Sequence, residues 1–263
     1  MLLKTIVRRF VPEELKREHR FGVRYLSPKG WHKSVESRQS VDLQGPVPWI
    51  TYPAQNLLKR VVQTDYRIFE YGSGNSSLWW AQRAAQVVSV EHNPDWARHV
   101  RSRAPSNLTV VSREMGAEIS QRDRTKLSDF YALNLVEQQL SSETSSMQHG
   151  LRTREFSAYA LELTKYPKEY FDVIVIDGMA RVLAAWLAAD FVKPSGFIVF
   201  DNSDRKQYND GFAILHGKGF KRIDFYGPGP VNYYEWCTTI FAKEFEWLSV
   251  NSVIPEDQPN DLG

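Results

Sequence analysis

In Glu70-Tyr71-Gly72-Ser73-Gly74, two glycines directly follow a β-rich run and precede a segment of helical spacing that begins near Ser76. Glycine has no Cβ and tolerates positive φ, so such a turn lets a ligand come close to the backbone. Seventeen residues beyond Gly74, at the end of the next β-rich run, stands Glu91. In a doubly wound sheet the ends of the first two strands are neighbours. Glu91 can therefore accept hydrogen bonds from both ribose hydroxyls of a nucleoside lying over the glycines, which predicts a nucleoside cofactor. Glu70 discriminates between cofactors. Dinucleotide enzymes usually carry an apolar residue two places ahead of the first glycine, and a carboxylate there repels a pyrophosphate. The ammonium and sulfonium of S-adenosylmethionine are instead attracted to it. Ser77 also stands where the dinucleotide fingerprint needs Gly or Ala, which weighs against NAD.

A second cluster comprises Asp177 and the pair Asp201-Asn202, each after a β-rich run, at the strand ends where open α/β sheets bind ligands. Two readings stand. The three oxygen-bearing side chains share one Mg²⁺, which would lower the pKa of a substrate hydroxyl and orient it. Alternatively, Asp177 contacts cofactor while Asp201 and Asn202 cap the segment that follows. His92 is placed to lie against an adenine ring or to face solvent, and Glu114 to meet the adenine amino group or to be a surface charge. Trp49, Tyr52, Tyr233, Tyr234 and Trp236 fall in Pro- and Gly-rich segments expected to border the same face. Asp204, Arg205 and Tyr208 either line the pocket or begin a helix.

The elements needed to position these groups are legible as alternating β-rich and helical segments, the pattern of βα units on a parallel sheet. Strands are expected at 67–71, 87–91, 108–111, 173–176 and 197–200, followed by an antiparallel pair at 221–226 and 238–245 around Gly227-Pro228-Gly229-Pro230. Crossover helices fall near 76–84, 94–103, 181–189 and 207–216. The connection between the third and fourth strands is too long for one crossover, so an insertion is expected at 117–154, with 156–163 as the crossover helix itself. The 263 residues, 42% hydrophobic and 24% charged, suit one α/β domain with appendages. That domain is expected at 46–250, after a basic extension at 1–45 and before a flexible tail at 251–263. No apolar run is long enough to span a bilayer, and the single Cys237 suits a reducing compartment, so the cytoplasm is expected. The net charge of +2 averages a head of +6 over residues 1–40 and a body of −4. Within that head, residues 1–20 include a short basic amphipathic stretch, Leu3 to Phe10, able to pack on the domain or to touch acidic lipid or nucleic acid. The acidic body argues against a nucleic-acid substrate.

Taken together, Glu70-x-Gly72-x-Gly74, Val90-Glu91, Asp172-x-x-x-x-Asp177-Gly178 and Lys193-Pro194-x-Gly196 resemble the motif series of class I S-adenosylmethionine-dependent methyltransferases over roughly residues 50 to 245. The resemblance implies a seven-stranded Rossmann-like sheet, its last strand antiparallel and its helices on both faces. It also implies a cofactor site at Glu70, Gly72, Ser73, Gly74, Glu91, His92 and Asp177. The Asp177 and Asp201-Asn202 pattern is similar to that of cation-dependent O-methyltransferases, with Asp177 and Asp201 as catalytic residues. Those families carry a lysine where this chain has Ala180, followed by Arg181, so the metal, Asp204 or His92 would have to activate the acceptor unless no metal binds. The expected activity is O-methylation of a small-molecule or sugar-like acceptor. The alternatives are a nicotinamide-dependent oxidoreductase and a nonenzymatic adapter that keeps the fold. A cavity plugged by Trp79 or Tyr71 would favour the adapter.

Overall fold

The structure, a computed structural model, describes residues 12–133 and 154–246. The amphipathic stretch 3–10, most of the Gln- and Ser-rich insertion and the tail from 255 lie outside these residues.

Seven strands form one sheet: β1 (Arg67–Tyr71), β2 (Gln86–Glu91), β3 (Leu108–Ser112), β4 (Phe171–Ile176), β5 (Val192–Asp201), β6 (Lys221–Gly227) and β7 (Trp236–Ala242). Their order is β3-β2-β1-β4-β5-β7-β6. β1 to β5 pair in parallel, and β7 runs antiparallel to both β5 and β6. Helices α1 (Glu13–Phe21), α2 (Trp31–Ser37) and α3 (Tyr52–Val61) precede the sheet; α4 (Asn75–Ala81), α5 (Pro94–Arg101), α6 (Gln121–Tyr131), α7 (Ser157–Ala160), α8 (Arg181–Phe191) and α9 (Asn209–Gly217) lie between strands.

The parallel strands are apolar on both faces because both faces are covered. Phe69, Tyr71, Ile174 and Ile176 point into one layer, under α8. Ile68, Val87, Val173 and Val175 point into the other, against Leu58 of α3 and Trp79 and Trp80 of α4. Side chains alternate along a strand, so Glu70 shares the face of Ile68 and sits under α4. Its neighbour across the β1–β2 ladder is Ser89.

Several boundaries differ from the sequence reading. β5 begins at Val192, five residues early, with a pairing irregularity between Phe171 and Val173. There Asp172 accepts from Arg67 N at 2.8 Å and from Lys193 Nζ at 2.5 Å. A Cβ on Gly196 would strike the Asp172 carbonyl, so the glycine is needed for the strands to close. The helix expected at 156–163 is only the single turn α7, continued as a 3₁₀ turn over Leu161–Lys165. The start of the insertion is built into the body: α6 buries Leu127 and Phe130 against the α8 layer. The N-terminal segment and the β6–β7 loop lock together, since Trp31 Nε1 donates to Asn232 O at 3.0 Å and its ring meets Tyr233 edge-on. Among the described residues no helix is long and apolar enough to cross a membrane.

Candidate functional site

A cavity of about 370 Å³ opens at the carboxyl ends of β1, β2 and β4, within the range typical of small-molecule sites. Gly72, Ser73, Gly74, Glu91, His92 and Asp177 line it, so six of the seven expected cofactor residues converge on one space.

The two glycines are there for different reasons. Gly72 has φ +93, and a Cβ on it would lie 2.7 Å from the Asp177 carbonyl. The chain's own closure of β1 against β4 therefore requires it. Gly74 has φ 175, which is ordinary extended backbone, and a Cβ there would meet nothing nearer than 4.0 Å. Packing does not demand a glycine at 74, whereas a ligand lying against the turn would. Gly74→Ala is accordingly expected to leave the thermal midpoint within a degree or two and to weaken cofactor binding about tenfold or more. Calorimetric titration beside thermal unfolding separates the two effects, and equal losses in both would refute the assignment.

Glu91 is 4% exposed and holds the turn together. Its Oε2 accepts from Ser73 N at 3.0 Å and Ser73 Oγ at 3.3 Å; its Oε1 accepts from Asn93 N at 2.8 Å and faces His92 Nδ1 at 3.0 Å. Burial raises its pKa, but hydrogen bonds from His92, Asn93 and Ser73 outweigh this and hold the carboxyl below its ordinary value. His92 packs edge-on to Phe156 and Tyr159. Gly74 N donates to Ser77 Oγ at 3.0 Å, so the turn's amides at 73 and 74 already have acceptors and are not free to cradle a pyrophosphate.

Glu70 departs from expectation. It is fully buried and does not line the cavity. Its Oε2 accepts from Ser77 Oγ and, at 2.6 Å, from Ser89 Oγ. Burial pushes its pKa up to about 7, against the lowering effect of Ser76, Ser77, Ser89 and Trp80. Because Ser77 Oγ is shared between Glu70 and Gly74 N, Glu70 positions the turn from below rather than touching a ligand.

The cavity does not bring Asp177, Asp201 and Asn202 together. Only Asp177 reaches the cavity. Asp201 is 2% exposed, and its Oδ1 accepts from Trp236 Nε1 at 2.9 Å and Thr238 Oγ1 at 2.6 Å. Asn202 sits in the left-handed region at φ +53. Arg181 fills the place of a cation. It donates from Nη2 to Asp177 Oδ1 at 3.1 Å, from Nη1 to the Asp201 carbonyl and from Nε to Gly178 O at 2.9 Å. Arg181 thus takes one oxygen of Asp177, while Trp236 and Thr238 take the Asp201 carboxylate, so the side chains do not converge on one ion. Titration with Mg²⁺ is expected to give no saturable heat at millimolar concentration, and a stoichiometric isotherm would reverse this reading.

The pKa of Asp177 is raised well above the ordinary range, by burial first and then by the negative charge of Asp201, with Arg181 opposing. Ala180, the position at which the sequence departs from the cation-dependent O-methyltransferase pattern, is buried at φ +50. Asp204 does not line the cavity; its Oδ1 instead accepts from Cys237 N at 3.2 Å. Glu114 is exposed away from the cavity.

Of the aromatic residues expected at this face, Trp49 alone is there. Tyr52 and Trp236 are buried in packing, and Tyr233 and Tyr234 are exposed elsewhere. Ser40, Asn75, Ser76, Trp96, Gly178 and Met179 complete the wall beside Arg181, Arg205 and Tyr208. Trp96 Nε1 donates to Ser73 O at 2.7 Å, and Asn75 Nδ2 donates to Ser40 O at 3.1 Å, which pins the N-terminal segment to the turn. Trp96 carries a sequence signal, two residues after the Asn93-Pro94 helix start that follows Glu91. Ser40 carries none.

The strand order and the antiparallel β7 give the seven-stranded Rossmann-like sheet that the sequence's resemblance to class I S-adenosylmethionine-dependent methyltransferases implies. No protein-family model and no curated protein sequence matches the chain. Among solved structures it is similar to precorrin-6y C5,15-methyltransferase of Geobacter metallireducens, at 13% identity over 80% of this chain and 96% of that one, TM-score 0.48. A methyltransferase-like protein of Silicibacter pomeroyi is 18% identical over 76% of this chain and 91% of its own, TM-score 0.43. A TehB-like SAM-dependent methyltransferase of Corynebacterium glutamicum is 11% identical over 72% and 86%, TM-score 0.41. These likenesses are of fold alone.

Proposed function

We propose that the chain is an S-adenosylmethionine-dependent methyltransferase acting on an oxygen of a small-molecule or sugar-like acceptor. The observation that carries this reading is that Glu91, at the glycine turn, and Asp177, after β4, line one cavity. Glu91 would hold the ribose hydroxyls. A carboxylate offers about four acceptor positions, and four donors already face Glu91. The two side-chain donors, Ser73 Oγ and His92, are those a ribose would replace, because the two backbone amides cannot leave. Gly72 to Gly74 would lie against the cofactor, and His92, so released, against its adenine.

When bound, the cofactor supplies a methyl group on a cationic sulfonium. What the chain must add is alignment of an acceptor oxygen and removal of its proton. Asp177 is the carboxylate of the Asp177/Asp201 pair that reaches the cavity, and it would take that proton. Arg181 fixes its orientation. Asp201, walled off by Trp236 and Thr238, acts through Arg181 and through its charge on Asp177. Trp79 and Tyr71 are buried in the core rather than in the cavity, which favours an enzyme over an adapter.

Calorimetric titration with S-adenosylhomocysteine tests the reading, and absence of both heat and thermal shift at millimolar ligand would end it. Glu91→Ala is expected to lose roughly 1.5 to 3 kcal/mol of that binding, about ten- to a hundredfold. Unchanged affinity in a folded Glu91→Ala protein would remove Glu91 from the ribose.

A further inference from the structure

The stretch of wall formed by Arg181, Arg205 and Tyr208 carries two guanidinium groups. Arg181 is 7% exposed, and its guanidinium carbon stands 5.3 Å from the centre of the Tyr208 ring. Of its five N–H groups, three are engaged by Gly178 O, the Asp201 carbonyl and Asp177 Oδ1. Its other two N–H groups make no hydrogen bond among the described residues, on a side chain that lines the cavity. Arg205, on the loop after β5, lines the same cavity and makes no salt bridge among the described residues. Planar guanidinium forks match oxyanions, above all when two converge. Trp49, 40% exposed, lines the same cavity and offers the apolar face of a ring.

Resting on the methyltransferase reading, we propose that Arg181 and Arg205 form an oxyanion subsite and that the acceptor is a hydroxylated ring compound bearing a carboxylate or a phosphate. The oxyanion docks on the arginines, the ring lies along Trp49, and the hydroxyl is presented to Asp177. The same guanidinium that pairs with Asp177 thus supplies substrate recognition.

The experiment is titration of the whole chain, saturated with S-adenosylhomocysteine, with inorganic phosphate in one arm and benzoate in the other, followed by thermal shift and calorimetry. Saturable binding of either is expected, and the arm that binds tells phosphate from carboxylate. Arg205→Gln, an exposed position, is expected to weaken that binding at least fivefold while S-adenosylhomocysteine affinity stays within twofold. Two results would overturn the inference: no saturable binding of either anion at tens of millimolar, or an Arg205→Gln loss confined to S-adenosylhomocysteine, which would give the arginines to the cofactor's own carboxylate. Failure of S-adenosylhomocysteine itself to bind, with phosphate or benzoate still binding to the free protein and sensitive to Arg205→Gln, would strike the methyltransferase reading and leave the anion subsite standing.

Discussion

Replacing Asp177 by asparagine is expected to reduce the methyl-transfer rate by about 10² to 10⁴, the usual contribution of a positioned general base, with S-adenosylhomocysteine affinity changed by less than about threefold. Asparagine keeps the shape of the side chain and can still accept from Arg181 through its amide oxygen, but it cannot take a proton. The backbone around it is held independently, by Asp177 N donating to Tyr71 O at 3.2 Å and by the close approach of Gly72. Single-turnover kinetics beside equilibrium titration separates the rate from the affinity. A variant that transfers methyl at the native rate would show that the acceptor arrives already ionised, as a carboxylate acceptor would.

Glu70→Gln is expected to act on stability rather than chemistry, in a pH-dependent way. The native carboxyl has a pKa of about 7 against 4.5 for the free side chain. Between those values the folded state holds a proton that the unfolded state has lost, so the wild-type protein loses stability as pH rises from about 4.5 to about 7. A shift of that size corresponds to about 3 kcal/mol. Glutamine carries no charge to bury, and its amide oxygen can still receive Ser77 and Ser89. The variant should match the wild type near pH 4.5 and exceed it at pH 8 by up to about 3 kcal/mol. Urea unfolding at both pH values reads this directly, and parallel pH profiles for the two proteins would refute it.

These two carboxylates show where the sequence was legible and where it was not. Strand periodicity and the glycine turn located Glu70, Glu91, Asp177 and Asp201 at strand ends, and the observed topology agrees. Which way each side chain points depends on what covers that face. Glu70 faces inward because it shares the phase of Ile68 beneath α4, and Asp201 because Trp236 and Thr238 on the antiparallel neighbour reach its carboxylate. Loop direction was harder still. The β6–β7 loop is expected from the sequence to border the cofactor face, yet Asn232 and Tyr233 are held by Trp31, with Asn232 and Trp31 201 positions apart in the chain. Ser40 reaches the cavity for a similarly non-local reason, its hold on Asn75. In the sequence Arg181 is only the residue after Ala180, where the resemblance calls for lysine. Its part as a built-in counter-ion emerged from the three acceptors that surround it.

The contrast between Gly72 and Gly74 also bears on descent. One glycine answers to the fold and the other, on this reading, to a ligand. Descendants of this chain that keep the fold but abandon the cofactor should retain Gly72 indefinitely, while Gly74 drifts to alanine, serine or larger residues once nothing needs to lie against it. A set of diverged sequences could then be sorted into working enzymes and retired scaffolds by the residue at one position, before any of them is purified.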